Sequence, residues 1–336
     1  MISLSKELIG NNNLINDLIY SFKEEKLSSS LIFVGQKGVG KSTFAFYFID
    51  KLFNLLTSNK DYKKDSNLIY NNSHPNIRYI HNEVDEQTGK LKNYISINQI
   101  RNLENYLYQS SFNNLPKFII IDAADDLNIN AANALLKVLE EPKKNTFFIL
   151  ITHQLFNLLP TIRSRCIKFY FKQLELDNFI KILRIYDEQL DTNNINFLYN
   201  LTNGSPGLAI KLNTEKLFFL YSNIIEILIS NEVFSSQLNE LSDKVKEFSN
   251  DEFKIFLMLV RYILITITKI NLGYSNENIL SSNLFNDLKN NSININNKIT
   301  LEILEFINFN ERNLFIYNLD KKLFCLNIFT PLFNIS

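Results

Sequence analysis

The chain of 336 residues carries 35 Lys+Arg and 35 Asp+Glu, so its formal charge is zero, and 46% of its residues are hydrophobic against 21% charged. That composition excludes a disordered polyelectrolyte and a protein that binds nucleic acid by net charge alone. At about 100–200 residues per domain, the length implies two or three domains, each with its own core. The two cysteines, Cys166 and Cys325, are too few and too far apart for a disulfide framework or a cysteine-based zinc site, which fits a reducing cytoplasm. The N-terminal MISLSKELIGNNNLIND lacks the apolar core of a signal peptide. Ile255 to Thr268 is interrupted by Arg261 and is shorter than the ~20 residues that span a bilayer, so it reads as a buried helix. Asparagine-rich patches such as Asn290 to Asn297 carry little information, and no internal repeat occurs at a solenoid period.

Taken in chain order, Leu31 to Gly35 (LIFVG) is an apolar run entering a glycine loop, and Ser42 to Leu56 has apolar residues at helical spacing. The stretch between Ser58 and Asn93 is polar and irregular (SNKDYKKDSN, HNEVDEQTGK) and is expected to be an insertion or long surface loop. Lys117 to Asp122 (KFIIID) is a β-branched run of the kind buried on both faces of a sheet. Ala131 to Glu140 is helical and stops before Pro142, Thr146 to Thr152 (TFFILIT) is a further strand, and Cys166 to Phe171 (CIKFYF) another. Strands alternating with helices imply parallel pairing and an α/β domain with helices on both faces of the sheet. After about Phe171 the strand runs stop, and amphipathic helices follow at Asp177 to Tyr186, Thr192 to Asn200 and Pro206 to Leu212. From about Glu215 to the end the pattern is all helical, interrupted mainly at Gly273 and the Asn-rich patch. The expected division is an α/β domain at 1–172, a small helical domain at 173–213 and a larger helical domain at 214–336.

GQKGVGKS, Gly35 to Ser42, fits G-x-x-x-x-G-K-[ST] at every fixed position, between a strand and a helix. Glycines there let successive N–H groups face a phosphate, the lysine neutralises phosphate oxygens and the hydroxyl ligates Mg²⁺. The candidate contacts for ATP or ADP are Gly35, Gly38, Gly40, Lys41, Ser42 and Thr43. Asp122 ends the strand IIID, where it can share the Mg²⁺ shell with Ser42. The position after it is Ala123, and Asp125 and Asp126 fall past the strand end. Thr152 closes TFFILIT, a place from which a polar side chain can sense a γ-phosphate. His153 is expected at the surface or an interface, and His74 and His81 have no partners at metal-ligand spacing. In TIRSRC, Thr161 to Cys166, Arg165 read alone is a surface arginine.

The P-loop, IIIDAADDLN, NAANALLKVLEEP, TFFILIT and LLPTIRSRC follow one another in an order and spacing that resembles the bacterial clamp-loader AAA+ subunits of DNA polymerase III. The resemblance covers about Leu14 to Leu212 and is strongest from Lys117 to Phe171. It implies an AAA+ P-loop domain, a helical lid domain and an all-α C-terminal collar domain for oligomerisation. Active AAA+ ATPases follow the strand-end aspartate with a glutamate that polarises water, and Ala123 stands there. With SHPNIRYI followed by ISINQIRNL, which looks like a His-Pro strand and then a helix beginning near Ile97, and with LTNGSPGLAIKL, where Gly207 or Leu208 replaces a sensor 2 arginine, this favours the delta-prime branch over the gamma/tau motors. The branch implies Arg165 as an arginine finger offered to a neighbouring subunit's ATP, and weak or absent ATPase activity of its own. The implied partners are gamma/tau and delta subunits in a hetero-pentameric ring, with the sliding clamp and primed DNA reached through that complex. Many clamp-loader subunits hold a cysteine zinc module that here would fall within Asn54 to Asn72, which has no cysteine, so no zinc is expected. Aromatic residues after Lys216 (Phe218, Phe219, Phe253, Phe256, Phe315, Phe324) are expected either to bury against partner helices or to fill the domain's own core. The alternative function is a self-sufficient AAA+ ATPase, a gamma/tau-like motor or a helicase loader, which Ala123 argues against. A small-molecule P-loop kinase fits poorly with the long helical tail.

Overall fold

The computed structural model describes residues 7–57, 59–85, 89, 92–230, 236–273 and 295–333. Residues 1–6 of the N-terminal run, 290–294 of the asparagine-rich patch, and 86–88 and 90 of HNEVDEQTGK lie outside the described residues. The chain divides into two compact units, Met1–Ile185 with Ser205–Leu208, and Tyr186–Gly204 with Ala209–Ser336. The segment expected as a lid, 173–213, is shared between them.

In the first unit the elements run α1 (Asn12–Lys23), β1 (Ser30–Val34), α2 (Lys41–Leu56), α3 (Asn59–Tyr70), β2 (Ile77–Ile80), α4 (Ile97–Tyr108), β3 (Lys117–Asp122), α5 (Ile129–Glu140), β4 (Thr146–Thr152), α6 (Pro160–Arg163), β5 (Ile167–Tyr170) and α7 (Leu176–Tyr186). The strands form one five-stranded sheet in the order β2-β3-β4-β1-β5, and every pairing is parallel. Strands are consecutive in sequence yet β1 lies between β4 and β5, so the chain crosses over with helices on both faces. Side chains alternate between two cores, as a period of two requires. Leu31, Phe33, Phe118, Ile120, Ile149 and Ile151 pack with Phe44, Phe48 and Phe53 of α2. Ile32, Val34, Ile119, Ile121, Phe148 and Leu150 pack with Ile100 and Leu103 of α4 and Ala131 and Leu135 of α5.

Local chemistry sets the helix ends. Ser96 and Gln99 form a capping box at the start of α4, and the Asn128 side chain accepts the Ala131 N–H at 2.8 Å to start α5, satisfying donors that a helix N-terminus leaves open. At the other end of α4, Lys117 Nζ donates to the Tyr106 and Gln109 carbonyls at 2.7 and 2.5 Å. A lysine at the start of an otherwise apolar strand thus closes carbonyls at a helix C-terminus.

The stretch 58–93 is not a plain surface loop. It contains α3 and the edge strand β2, and Asp65, Ile69, His74 and Asn76 from it are buried. Its many charges hid the few positions that face inward. His74 is the centre of this packing: its ring lies 4.9 Å from that of Phe53, and its Nδ1 accepts the Asn76 N–H at 3.1 Å. Asp65 Oδ1 is 3.8 Å from Nε2, too far for a hydrogen bond. Burial pushes the imidazole pKa down to about 4 from 6.5. The unfolded chain therefore binds a proton that the folded one refuses, so this contribution to stability is whole above about pH 6.5 and is lost as pH falls toward 4. The slope is at most about 1.4 kcal/mol per pH unit. Denaturant titrations of wild type and His74→Asn at pH 7, 6 and 5 should show a steeper loss in wild type, and parallel curves would refute this account of His74.

In the second unit, α8 (Thr192–Leu201), α9 (Pro206–Leu212, shared with the first unit), α10 (Glu215–Ser230), α11 (Ser236–Lys246), α12 (Asn250–Asn271), α13 (Asn297–Ile316) and α14 (Lys321–Phe333) are all helical. Ser249 and Glu252 form the capping box of α12, whose residues Phe253 and Phe256 are fully buried. The two alternatives for the aromatic residues resolve individually. Phe253 packs on Phe256, Phe315 and Phe324, and Phe218 on Phe197, so these rings fill the unit's own core. Phe219 stays 60% exposed, with Lys244 Nζ 5.6 Å from its ring centroid. Among the described residues no helix is long and apolar enough to cross a membrane.

Candidate functional site

Parallel strands place ligands at their carboxyl ends, where loops gather from several elements. β1 enters the glycine loop there, and α2 begins at Lys41 with Gly40 before it at φ 93°. A side chain at Gly40 would meet nothing within 4 Å, so the loop is open in front of the α2 N-terminus, where orphan N–H groups and the helix dipole favour an anion. Gly38 is also left-handed, at φ +85°, but is closely backed. The Gly207 N–H donates to its carbonyl at 2.9 Å, and Ser205 Oγ donates to the Lys37 carbonyl at 2.7 Å. The GSPG segment thus braces the loop through the Gly207 N–H and the Ser205 hydroxyl, both donating to loop carbonyls.

Lys41 Nζ donates to the Gly35 and Gln36 carbonyls at 2.5 and 2.7 Å and lies 3.2 Å from His153 Nδ1. Burial lowers its pKa to about 8, against the opposing pull of Asp122 and Asp125. Ser42 Oγ donates to Asp122 Oδ2 at 2.7 Å, so the strand end and the loop hydroxyl meet as a shared Mg²⁺ shell requires. Tyr79 from β2 donates to the same oxygen at 2.9 Å. Thr43 lies in the first turn of α2, next to these groups in sequence.

The carboxylates that follow β3 are engaged by other groups. Ala123 is buried, Asp125 accepts the His153 and Gln154 N–H groups at 2.8 Å, and Asp126 accepts from Asn82 Nδ2 at 2.9 Å. Both are tied to neighbouring backbone or amide donors. Thr152 is fully buried, its backbone oxygen accepting the Gly35 N–H at 3.2 Å, and its hydroxyl has no hydrogen-bond partner. His153, expected at the surface or an interface, is half-buried, with its Nδ1 3.2 Å from Lys41 Nζ. His81 Nδ1 sits 2.8 Å from the Asn82 carbonyl, and no cluster of metal-ligating His, Cys, Asp or Glu occurs among the described residues.

Arg165 lies away from these contacts, between α6 and β5. Its NH1 donates to the Thr161 carbonyl at 2.9 Å, and its NH2 to Glu140 Oε1, at the end of α5, at 2.6 Å. The pair is open to solvent, with side chains 36% and 49% exposed.

The structure brings the loop residues Lys41 and Ser42 together with Asp122, and Arg165 is not among these contacts. No sequence reading marks Tyr79, Ser205 or the close approach of Gly207, and His153 reads only as a surface or interface residue. Tyr79 lies in β2, within the SHPNIRYI segment that resembles a strand.

Residues 10–175 match the family described as DNA polymerase III, delta subunit. The chain is 32% identical to the DNA polymerase III subunit delta' of Bacillus subtilis over 55% of its length and 54% of that protein. It is 25% identical to the DNA polymerase III subunit gamma/tau of Mycoplasma genitalium over 92% of its length and 51% of that protein. The chain thus spans about half the length of these curated relatives. A solved gamma subunit-related protein of DNA polymerase III from Thermotoga maritima aligns with a TM-score of 0.36 at 21% identity, over 85% of this chain and 96% of that one.

Proposed function

We propose, on the premise that this chain belongs through residues 10–175 to the DNA polymerase III clamp-loader family, that it works as a delta-prime-like subunit. In that role it binds nucleotide, turns it over slowly and donates Arg165 to a neighbour. The observation that carries the reading is the split at the end of β3. Asp122 stands on Ser42 at 2.7 Å, yet the adjoining Ala123 is buried and the nearby Asp125 and Asp126 carboxylates are engaged elsewhere.

The residues present fit a Mg²⁺-nucleotide: an open turn at Gly40, a lysine amine held by the Gly35 and Gln36 carbonyls and beside His153, and a hydroxyl–carboxylate pair. Gly38, Gly40 and the first N–H groups of α2 would hold a phosphate, Lys41 would turn from its own carbonyls to it, and Ser42 and Asp122 would hold the ion. The ion, when bound, supplies positive charge against the phosphate oxygens. Nothing in this set takes a proton from an attacking water, so the site binds and does not hurry hydrolysis. Arg165, outside this pocket, serves a second site in trans. Partner subunits of the gamma/tau and delta types, the sliding clamp and primed DNA complete the proposed assembly.

The isolated chain is expected to bind Mg-ADP or Mg-ATP while turning over far below the enzyme median of ~10 s⁻¹. Calorimetry and a steady-state ATPase assay on the lone chain test this. Turnover near that median would favour the second reading, a self-sufficient motor, which the gamma/tau match over 92% of the chain supports. Copurification with motor and delta subunits tests the assembly.

A further inference from the structure

We propose that the outer edge of β5 docks an extended segment of a partner protein, one that alternates acidic and apolar residues and joins the sheet as a further strand.

β5 ends the strand order and pairs only with β1. The Phe171 N–H donates to the Val34 carbonyl at 2.7 Å. Alternation along a parallel strand therefore turns the main-chain N–H and C=O groups of Lys168 and Tyr170 away from β1. Among the described residues no strand and no other backbone group bonds to them. At the opposite edge of the sheet, Ile77 and Ile80 of β2 are 8% and 5% exposed, whereas Ile167 and Tyr170 of β5 are 50% and 63% exposed.

The side chains of this edge define the strand that fits it. With a period of two, Lys168 and Tyr170 share one face with Lys172 just beyond the strand, and all three are exposed. Ile167 shares the other face with Phe169, whose ring lies 6.1 Å from that of Phe33 in the core. One face thus offers positive charge around a phenol, and the other offers an open isoleucine beside a packed ring. From Pro142 to Leu174 the chain has six lysines and arginines and no aspartate or glutamate. Among the described residues neither Lys168 nor Lys172 forms an ion pair. A second copy of β5 would set lysine against lysine, the common guard of an edge strand against its own kind. A strand with acidic residues on the Lys168 face and apolar residues on the Ile167 face pairs charge with charge and covers the isoleucine. The outward main-chain groups give attachment to any extended chain, and the two faces give the choice among them.

The test uses the full chain and a fluorescent, end-blocked peptide in which glutamate and valine alternate. Anisotropy should show binding that weakens about tenfold in Lys168→Glu, where an attraction becomes a repulsion. Lys172→Glu, off the paired strand, should act in the same direction and more weakly. Two further probes carry N-methyl groups on all the valines or on all the glutamates. One should lose at least about tenfold and the other should not, because only one set of N–H groups faces β5. Amide hydrogen exchange at Lys168 and Tyr170 should slow on binding, while that at Phe169, which faces β1, holds still. Absence of binding at millimolar peptide, equal binding with lysine in place of glutamate, full binding by both N-methylated probes, or affinity unchanged in both charge reversals each overturns the proposal. Binding of a single-stranded oligonucleotide of equal charge in place of the peptide would assign the edge to nucleic acid and overturn it as well.

Discussion

Arg165→Ala is expected to leave the chain folded and able to join a ring, and to lower the DNA-stimulated ATPase of that ring. The fold should survive because the Arg165–Glu140 pair is 36% and 49% exposed, and ion pairs so open to water are worth about 0–1 kcal/mol. The activity should not, if the proposed role in trans is right. A guanidinium brought to a transferring phosphoryl stabilises the charge that develops there, which in GTPases is worth roughly 10³–10⁵ in rate. A ring with other intact sites should lose less than that. In the proposed role a neighbour's triphosphate competes with Glu140 for Arg165 and offers the guanidinium more charged acceptors than one surface carboxylate does. Glu140→Gln should therefore keep or raise ring activity. Arg165→Lys should rescue only in part, because a point charge lacks the planar fork that meets two phosphate oxygens. Wild-type clamp loading by a ring assembled with the alanine variant would reduce Arg165 to a surface residue.

Gly38→Val is expected to cost far more stability than Gly40→Ala, though both glycines are left-handed, at φ +85° and +93°. An L side chain in that region costs roughly 1–2 kcal/mol at either place. At Gly38 the new Cβ would also stand 2.5 Å from Ser205 Oγ and 2.7 Å from the Leu208 nitrogen. The second of these is backbone and the first is engaged with the Lys37 carbonyl, so the loop must move away from its brace. The total should be on the order of 3 kcal/mol, with the loss of nucleotide binding. At Gly40 the Cβ meets open space, and only the backbone cost remains. Thermal unfolding of the two variants side by side measures the difference. Equal losses would mean that GSPG does not brace the loop.

Much of the first unit was determined by sequence alone, for a physical reason. Strands buried on both faces must be apolar without a break, so LIFVG, KFIIID and TFFILIT declare themselves as β1, β3 and β4. A phosphate loop is one contiguous segment whose glycines and lysine act through local backbone, so its motif is complete in eight residues, Gly35 to Ser42. The capped helix α5 is equally local. Where only a few positions face inward, the pattern was silent. α3 lies in a stretch of charges, and Asp65 and Ile69 are buried there without a run of apolar neighbours to mark them, while β2 is marked only by the resemblance of SHPNIRYI to a strand. Composition after Lys216 said that aromatic rings would be buried but not against what, and contacts such as Phe253 on Phe324 needed the helices to be packed first.

What surrounds the loop was decided by tertiary structure. Tyr79 reaches Asp122 across 43 residues, His153 reaches Lys41 across 112, and Ser205 reaches Lys37 across 168. Periodicity states which face of an element a side chain takes. It does not state which strand lies alongside or how far a turn carries a ring, and these depend on the crossover that puts β1 beside β4. The fate of Asp125 shows the same limit. The sequence places it only past the strand end, and the neighbouring turn, whose N–H groups it accepts, makes it a structural anion.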